Sequence, residues 1–418
     1  MIFLKGGDTM RKEKKTTAIH QVTLEETQLI DIHGQKHKNP MNGKKIALFT
    51  LYAVIGVLLL ITVLSFNDLP SIMNQIKQAK FEYICLAILM VFAYLAIYPL
   101  SLCILAKARK TDISFGTTYS IAMTEHFFNG ITPLSTGGQP FQAYSFSRAK
   151  VKISESTGLL LANLLIYMAV TTGFSLTGLF FARTLFSQID TTWRVIIIIG
   201  YALNLLMFVS TLVLGLSKTV RSLLVKIIYF LCNFRIFKKL RPKVETVKEY
   251  FESVQQAFKD LMSKKGHFFL ALLTKIISFA FLYSATIFIM LSLNINVELE
   301  HALLIISGTS FAITAVGFIP TPGASGAAEG SSGKVFASII VAIAGASMAG
   351  QAAGVMLVWR LLSYYMVMLI SLAFYIGLEV YLTKTRNKRV EAREKLKMEL
   401  EAKENESNDQ SDNERFNI

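Results

Sequence analysis

The chain has 418 residues, of which 53% are hydrophobic and only 17% charged, with a formal net charge of +15. Soluble domains average about 45–50% apolar and about 25% charged residues, so the composition argues against a soluble protein and predicts an integral membrane protein. The basic residues cluster in short loops between apolar runs, a pattern typical of cytoplasmic loops rather than of a nucleic-acid-binding surface.

The chain divides into a basic tail, an apolar region and a second charged tail. Residues 1–45 are polar and have no signal-peptide pattern, so we expect a cytoplasmic tail before a transmembrane domain at residues 46–383. Six runs have about the 20 residues that a membrane crossing needs. These predicted spans are Ile46–Phe66, Tyr83–Ala106, Thr157–Ala182, Val195–Leu216, Phe268–Leu293 and Ala352–Leu382.

Three segments outside these spans are predicted to be polar or peripheral. Asn67–Phe81 is expected to form a short loop. Residues 217–266 are expected to form a basic cytoplasmic loop, in which Val220–Phe234 has the amphipathic spacing of an interfacial helix. Residues 384–418 should form a charged cytoplasmic tail, helical over Val390–Lys403 and disordered beyond.

Two polar stretches rich in Pro and Gly interrupt the apolar region, at Thr124–Gln142 and Gly317–Gly330. Basic residues flank Phe115–Phe146 on both sides, so this segment should enter the membrane, turn near Pro133–Gly138 and return on the cytoplasmic side. By the same count of charges, Ala302–Ser347 has both ends outside. The sequence therefore predicts two re-entrant helical hairpins of opposite orientation, as in transporters built from inverted repeats, although it shows no strong residue-level repeat. Broken backbone at membrane depth is tolerated only inside protein or beside a watery cavity.

The first hairpin has the residue types of an anion site. Gly137 and Gly138 should permit a tight turn, and helix N-termini near it would present N–H groups to a phosphate. The neutral hydrogen-bonding side chains nearby are Ser135, Thr136, Gln139 and Gln142. The alternative is a kinked helix pair whose polar groups satisfy one another.

The second hairpin combines prolines that should break the entering helix, Pro320 and Pro322, with glycines that permit close backbone approach. These glycines are Gly323, Gly326 and Gly330, and Glu329 is the acid among them.

The few ionisable residues within the apolar region are candidates for function. Glu125 and His126 precede the first turn. Arg360 could bind a phosphate or pair with Glu125 or Glu329, and Lys275 could pair with an acid or extend to the membrane surface. Cys85, Cys103 and Cys232 have no metal-ligand spacing and are interpreted as packing residues.

No catalytic, nucleotide-binding or metal-binding motif occurs, and we expect no cofactor. Three stretches resemble the membrane region of the lysylphosphatidylglycerol synthase/flippase family. They are FFNGITPLSTGGQPFQAY, GFIPTPGASGAAEG and WRLLSYY. The resemblance extends over about Lys45–Leu382.

The resemblance implies a function in lipid chemistry. In larger family members a cytosolic domain makes lysyl-phosphatidylglycerol from charged tRNA, and the membrane region is thought to move this lipid to the outer leaflet. The outer surface then becomes less negative, which gives resistance to cationic peptides. Because this chain ends soon after its last predicted span, we expect the synthase domain to be absent and lysyl transfer not to be its own activity.

We therefore predict an all-helical protein of the bacterial plasma membrane, with both termini cytoplasmic, that translocates a polar-headed phospholipid. The rival predictions are a phosphatidylglycerol lysyltransferase or a component of one, and a carrier for an undecaprenyl-phosphate-type lipid or a small anion. Membrane phospholipids are the expected partners, beside a separate lipid-modifying enzyme or a second copy of the chain. The candidate substrate site contains Glu125 and Ser135, which are chosen for their residue types and positions. From the resemblance the site takes Asn129, Pro133, Gly137, Gly138, Gln139, Pro140, Pro320, Pro322, Gly323, Gly326, Glu329 and Arg360.

Overall fold

The computed structural model describes residues 69–181, 191–231, 244–314 and 321–416, and the single residues 56, 189, 317 and 319. Within these ranges the chain is helical and forms no strand. The helices are α1 (Leu69–Lys77), α2 (Phe81–Ile97), α3 (Leu100–Arg109), α4 (Phe115–Ile131), α5 (Gly138–Arg148), α6 (Ile153–Phe181), α7 (Thr191–Leu216), α8 (Lys218–Leu231), α9 (Val244–Ser263), α10 (Lys265–Ser292), α11 (Ala302–Thr314), α12 (Ala327–Ala344), α13 (Ala352–Arg360) and α14 (Val367–Phe416).

Six of the described segments are long and apolar enough to cross a membrane, so the chain is a multi-pass membrane protein of the predicted all-helical class. Five of them coincide with predicted spans. The sixth, Pro322–Ala344, lies in the second predicted hairpin, and the predicted span Ile46–Phe66 lies outside the described residues apart from Gly56. The six segments are Phe81–Arg109, Ile153–Gly178, Thr191–Leu216, Lys265–Ser292, Pro322–Ala344 and Ala346–Ala392.

The segment Phe81–Arg109 is bent where α2 meets α3. Pro99 has no N–H group, so it cannot donate to the carbonyl of Leu95 four residues earlier. The hydroxyl of Tyr119 on α4 donates to that carbonyl instead, at 3.1 Å. The bend is therefore compensated by a neighbouring helix, as required in an apolar bundle.

Helix α6 lies at the centre of the bundle and contacts α3, α5, α7, α9, α10 and α11. Small residues let neighbouring helices approach it closely, and a Cβ added at Gly158 would lie 2.5 Å from the Cβ of Ala257 on α9. Buried polar side chains join it to other helices. Ser101 of α3 donates to Asn163 at 3.1 Å, and Thr172 donates to Asn204 of α7 at 2.8 Å.

The segment predicted as a basic loop contains two helices, α8 and α9. The interfacial helix expected at Val220–Phe234 corresponds to α8, but α9 was missed. Helix α9 carries many charges, yet its apolar residues recur at helical spacing and pack on α6. The buried ones are Val254, Ala257, Phe258 and Leu261.

Two further expectations were wrong. The loop expected at Asn67–Phe81 contains α1, because Pro70 is tolerated in the first turn of a helix and Ile72 packs against Leu357. In the C-terminal tail, α14 continues to Phe416 instead of ending near Lys403.

The first hairpin, α4 and α5, starts and returns at one end of the bundle. Arg109, at the end of α3, pairs with Glu155 at the start of α6 (3.2 Å) and with Asp260 near the end of α9 (2.6 Å). Arg148, at the end of α5, pairs with Glu379 of α14. The chain therefore leaves this end after α3, turns between α4 and α5, and comes back before α6.

The second hairpin, α11 and α12, starts and returns at the opposite end. The N–H of Lys80 donates to the carbonyl of Ser292 at 2.8 Å, which places the end of α10 beside the start of α2. Gln75 of α1 donates to the carbonyl of Gly350, just before α13, at 3.3 Å. The two hairpins thus approach from opposite ends, and their re-entrant position in a membrane stays a prediction.

The close contact of α6 with α9 gives a first prediction. Gly158→Val should lower the thermal stability of the purified protein, because the new side chain would collide with Ala257 and with the carbonyl of Val254. Overpacking of this kind costs about 1–3 kcal/mol. Gly173→Val is the control in the same helix, since no atom lies within 4 Å of a Cβ added there. Equal melting temperatures for the two variants would contradict the packing.

Candidate functional site

The turns of the two hairpins contact each other, and we call this contact the tip junction. Each tip is a short 3₁₀ turn, formed by Pro133–Ser135 in the first hairpin and by Pro322–Ala324 in the second. The residue before each proline is an extended threonine, with φ −109°, ψ 144° at Thr132 and φ −113°, ψ 149° at Thr321. The two hairpins therefore share a local Thr-Pro turn, a similarity too short to stand out as a repeat in the sequence.

Left-handed backbone occurs at corresponding positions of the two tips. In the first tip, Leu134 and Ser135 have φ of 58° and 52°, and in the second, Gly323 and Ala324 have φ of 59° and 54°. Three of these four residues are not glycine, and the left-handed region costs such residues energy that surrounding structure must offset. The tips are thus held in strained conformations by their neighbours.

The glycine pair of the first hairpin has a different role from the one expected. Gly137 has an ordinary helical φ of −76°, so it does not make the turn. A Cβ at Gly138 would lie 2.6 Å from Asn129 Oδ1, which shows that the pair permits close approach of α5 to α4. The N–H of Gly138 donates to Asn129 Oδ1 at 2.8 Å, and that of Gly137 donates to Thr132 Oγ1 at 2.9 Å. Both N–H groups expected to bind a phosphate are therefore bonded within the hairpin.

Arg360 lies beside the second tip and is 5% exposed. Its Nε donates to Glu329 Oε1 at 2.9 Å, and its Nη2 donates to the carbonyl of Gly323 at 3.3 Å. Glu329 Oε2 accepts from the N–H of Gly326 at 2.6 Å, so this carboxylate also caps the start of α12. Of the two acids that could pair with Arg360, the structure places Glu329 there and Glu125 elsewhere.

Tyr364 joins the two hairpins at the tip junction. It follows Arg360 by one turn, in a π-helical segment, Leu361–Met366, of the kind often found at functional sites. The Arg360 guanidinium carbon lies 4.2 Å from the centre of the Tyr364 ring. The Tyr364 hydroxyl donates to the carbonyl of Gly130 on α4 at 2.8 Å, and a Cβ at Gly323 would collide with that hydroxyl. One side chain therefore contacts both hairpins and the buried cation.

A second buried polar cluster lies below the first tip. Glu125 Oε2 accepts from the hydroxyl of Tyr98 at 3.0 Å and from Gln142 Nε2 at 3.4 Å. Lys275 is fully buried, so it does not extend to the membrane surface. Its Nζ donates to the carbonyl of Tyr98 at 3.3 Å and lies 3.2 Å from the centre of that ring. The Tyr94 hydroxyl and His126 Nε2 are 3.5 Å apart in the same cluster.

The structure thus divides the predicted site residues into two groups. Pro133, Ser135, Pro322, Gly323, Gly326, Glu329 and Arg360 lie at or beside the tip junction, whereas Asn129, Gly137, Gly138, Gln139 and Pro140 form the start of α5 and its contact with α4. Glu125 belongs to the lower cluster, and Pro320 lies outside the described residues. As described, α11 ends at Thr314, ahead of both prolines expected to break it.

Sequence reasoning did not assign roles to Tyr98, Thr132 and Tyr364. For Tyr364 a signal existed, because it follows Arg360 by four residues and so shares its helix face. Tyr98 immediately precedes the bend at Pro99, and only the packed bundle brings it between Glu125 and Lys275.

The buried Arg360–Glu329 pair gives the next prediction. Arg360→Met or Glu329→Gln alone should destabilise the protein strongly, because each leaves an uncompensated buried charge, a loss of about 3–5 kcal/mol. The double variant should lose less than the sum of the two single losses. Thermal unfolding of the four proteins in one detergent measures this coupling.

The partly exposed pair Arg148–Glu379 provides the matched control, with side chains 22% and 24% exposed. Because this pair is less buried than Arg360–Glu329, its coupling energy should be smaller, closer to the about 0–1 kcal/mol of exposed pairs. Additive losses at Arg360 and Glu329 would show that the two charges do not depend on each other.

Comparison with known proteins identifies the family of this chain. No curated protein matches the chain significantly. A family model described as the lysylphosphatidylglycerol synthase TM region matches residues 48–371, which is most of the chain and includes both hairpins. The chain therefore belongs to the lysylphosphatidylglycerol synthase transmembrane-region family.

Proposed function

We propose that this protein translocates a polar-headed phospholipid, such as lysyl-phosphatidylglycerol, between the leaflets of a bacterial plasma membrane. By changing the charge of the outer surface it would contribute to resistance to cationic antimicrobial peptides. The observation that carries this proposal is the tip junction, where two broken helical hairpins from opposite ends of the bundle meet beside a buried arginine.

Arg360 is the candidate for holding the lipid phosphate. Among the described residues its guanidinium makes hydrogen bonds through Nε and Nη2, to Glu329 and Gly323, which leaves the two Nη1 donors for a ligand. Guanidinium groups bind phosphate oxygens through paired, charge-assisted hydrogen bonds. Glu329 fixes the orientation of this donor group and lowers the cost of burying it.

The first tip provides a route by which a lipid could reach this site. Leu134 is 43% exposed, and Pro133, Thr136 and Pro140 are also exposed at this tip. A lipid headgroup could therefore approach the junction from the side while its acyl chains remain in the hydrocarbon. This favours a lipid over a water-soluble solute, which would need a channel through the bundle.

The opposed hairpins also offer a mechanism for alternating access. Transporters with inverted repeats expose a central site to either side by moving one repeat against the other. Here the contact that would move is the tip junction. Tyr364 spans it, because its hydroxyl bonds to the carbonyl of Gly130 and its ring lies against Arg360. We propose that this contact opens toward one face and then toward the other while Arg360 retains the phosphate.

The orientation follows from the basic residues. Arg109, Arg148 and Lys264 lie at the end of the bundle where the first hairpin starts and returns. Under the positive-inside rule this end faces the cytoplasm. Both chain termini would then be cytoplasmic, and the first hairpin would open toward the cytoplasmic leaflet.

The cellular test separates lipid movement from lipid synthesis. In cells lacking the gene, total lysyl-phosphatidylglycerol should be unchanged, while the fraction labelled by a membrane-impermeant amine reagent should fall. Expression of the Arg360→Gln variant in these cells should leave the labelled fraction low, because the side chain that binds the phosphate is lost. Expression of Arg148→Gln, a change at the end of the bundle, should restore the labelled fraction. Protein levels in the membrane are measured in parallel.

Two results would overturn the proposal. Loss of the total lysyl-lipid on deletion would make the protein necessary for synthesis, as the lysyltransferase alternative requires. An unchanged exposed fraction in a strain that makes the lipid would exclude this lipid as the substrate.

A further inference from the structure

Glu125 is a buried carboxylate that has no role in the proposed lipid site. It is 5% exposed, and none of the ion pairs among the described residues includes Glu125 or Lys275. Tyr98 lies between the two, donating its hydroxyl to Glu125 while its carbonyl accepts from Lys275. Buried acids within transmembrane segments are costly and commonly mark proton relays in pumps and transporters.

Two hydrogen-bonding atoms on α5, one of them in Gln142, which contacts Glu125, have no partner in the described part of the chain. They are Gln142 Oε1 and Ser145 Oγ, one turn apart on α5, and both residues are fully buried. Buried polar atoms without partners are rare and need an explanation. The amide of Gln142 contacts Glu125 through Nε2, 3.4 Å from Oε2. A protonated Glu125 would bring an O–H donor to this amide, whereas the ionised carboxylate can only accept.

The backbone that carries Glu125 is connected to both sides of the tip junction. Toward the first tip, Glu125 packs under the start of α5, since a Cβ at Gly138 would lie 2.8 Å from Glu125 Cγ. Toward the helix that follows Arg360, Ser371 of α14 enters the hydrogen-bond ladder of α4. Its hydroxyl accepts from the N–H of Phe127 at 2.9 Å and donates to the carbonyl of Met123 at 2.5 Å.

We propose that Glu125 is a proton-binding site that couples lipid movement at the tip junction to a transmembrane proton gradient. A proton adds to the Glu125 carboxylate from one side of the membrane and leaves it toward the other as the hairpins move. Because Glu125 contacts Gly138, a change in its hydrogen bonding shifts the start of α5 and so the first tip. This inference rests on the proposed lipid translocation.

The titratable groups around this site come from several helices. On α14, the ring of Tyr375 packs against Phe127 and Phe128 of α4. On α5 the nearby side chains, Gln142 and Ser145, are neutral. The remaining groups in or next to the cluster are Tyr94, Tyr98, Cys103, His126, Tyr167 and Lys275.

The test uses the full-length protein in vesicles of phosphatidylglycerol that contain a small fraction of lysyl-phosphatidylglycerol. An impermeant amine reagent measures how much of this probe lies in the outer leaflet. Without a pH gradient the protein should equalise the leaflets. With a gradient of one pH unit, and the membrane potential clamped, the probe should accumulate in one leaflet. The ratio should reach about tenfold if one proton moves with each lipid, and reversing the gradient should reverse it.

Variants assign the coupling to Glu125. Glu125→Gln should abolish gradient-driven accumulation, and Glu125→Asp, which keeps the carboxylate, should retain it. Glu379→Gln, which neutralises an acid at the bundle end, should behave like the wild type.

The outcomes separate this inference from the proposed function. If the wild type equalises the leaflets but never accumulates the probe, the proton coupling is wrong and lipid translocation stands. If it does not equalise the leaflets at equal pH, the proposed function itself is wrong. Accumulation by Glu125→Gln at the wild-type level would place the proton site elsewhere.

Discussion

Hydrogen bonding of the backbone inside an apolar bundle is the constraint on which this structure depends. At the described breaks between helices, side chains supply partners for the backbone groups that are left free. Tyr119 donates to the carbonyl freed by Pro99, Thr132 and Asn129 accept from the N–H groups at the start of α5, and Glu329 caps α12. These bonds satisfy backbone groups at the starts of α5 and α12, next to the two tips that meet inside the protein.

The buried cations also have partners in irregular segments of the backbone. Arg360 is buried with a carboxylate, a carbonyl and an aromatic ring, all from elements that form the tip junction. Lys275 is buried with the carbonyl and ring of Tyr98, in contact with the helix break at Pro99. Each buried cation therefore stabilises an irregular segment, and at Arg360 this stabilisation also leaves donors for a phosphate. Stability of the broken backbone and recognition of a lipid headgroup depend on the same side chain.

Sequence patterns predicted those features that hydrophobicity and charge determine directly. Five of the six described spans, and the division of each hairpin into two helices joined by a turn, were predicted from the apolar runs and from the Pro- and Gly-rich stretches. The basic residues in the loops predicted that the hairpins start at opposite ends. Helix α9 was missed because its charges hide a narrow apolar face that only the contact with α6 makes important. The pairing of Arg360 could not be chosen from sequence, because Glu125 and Glu329 are both acids and only the packed tips decide which is near. The first turn lies within the predicted Pro133–Gly138, but its left-handed backbone is at Leu134 and Ser135 and not at the glycines expected to provide it.

We propose that lipid crosses at the tip junction, and the purified protein allows a direct test of this. The measurement is the rate at which lysyl-phosphatidylglycerol becomes accessible to an impermeant amine reagent in vesicles at equal pH on both sides. We expect rapid exposure with the wild type, and a rate near that of protein-free vesicles with an Arg360→Gln variant of unchanged helical content. A wild-type rate equal to that of protein-free vesicles, or full activity in the Arg360 variant, would contradict it.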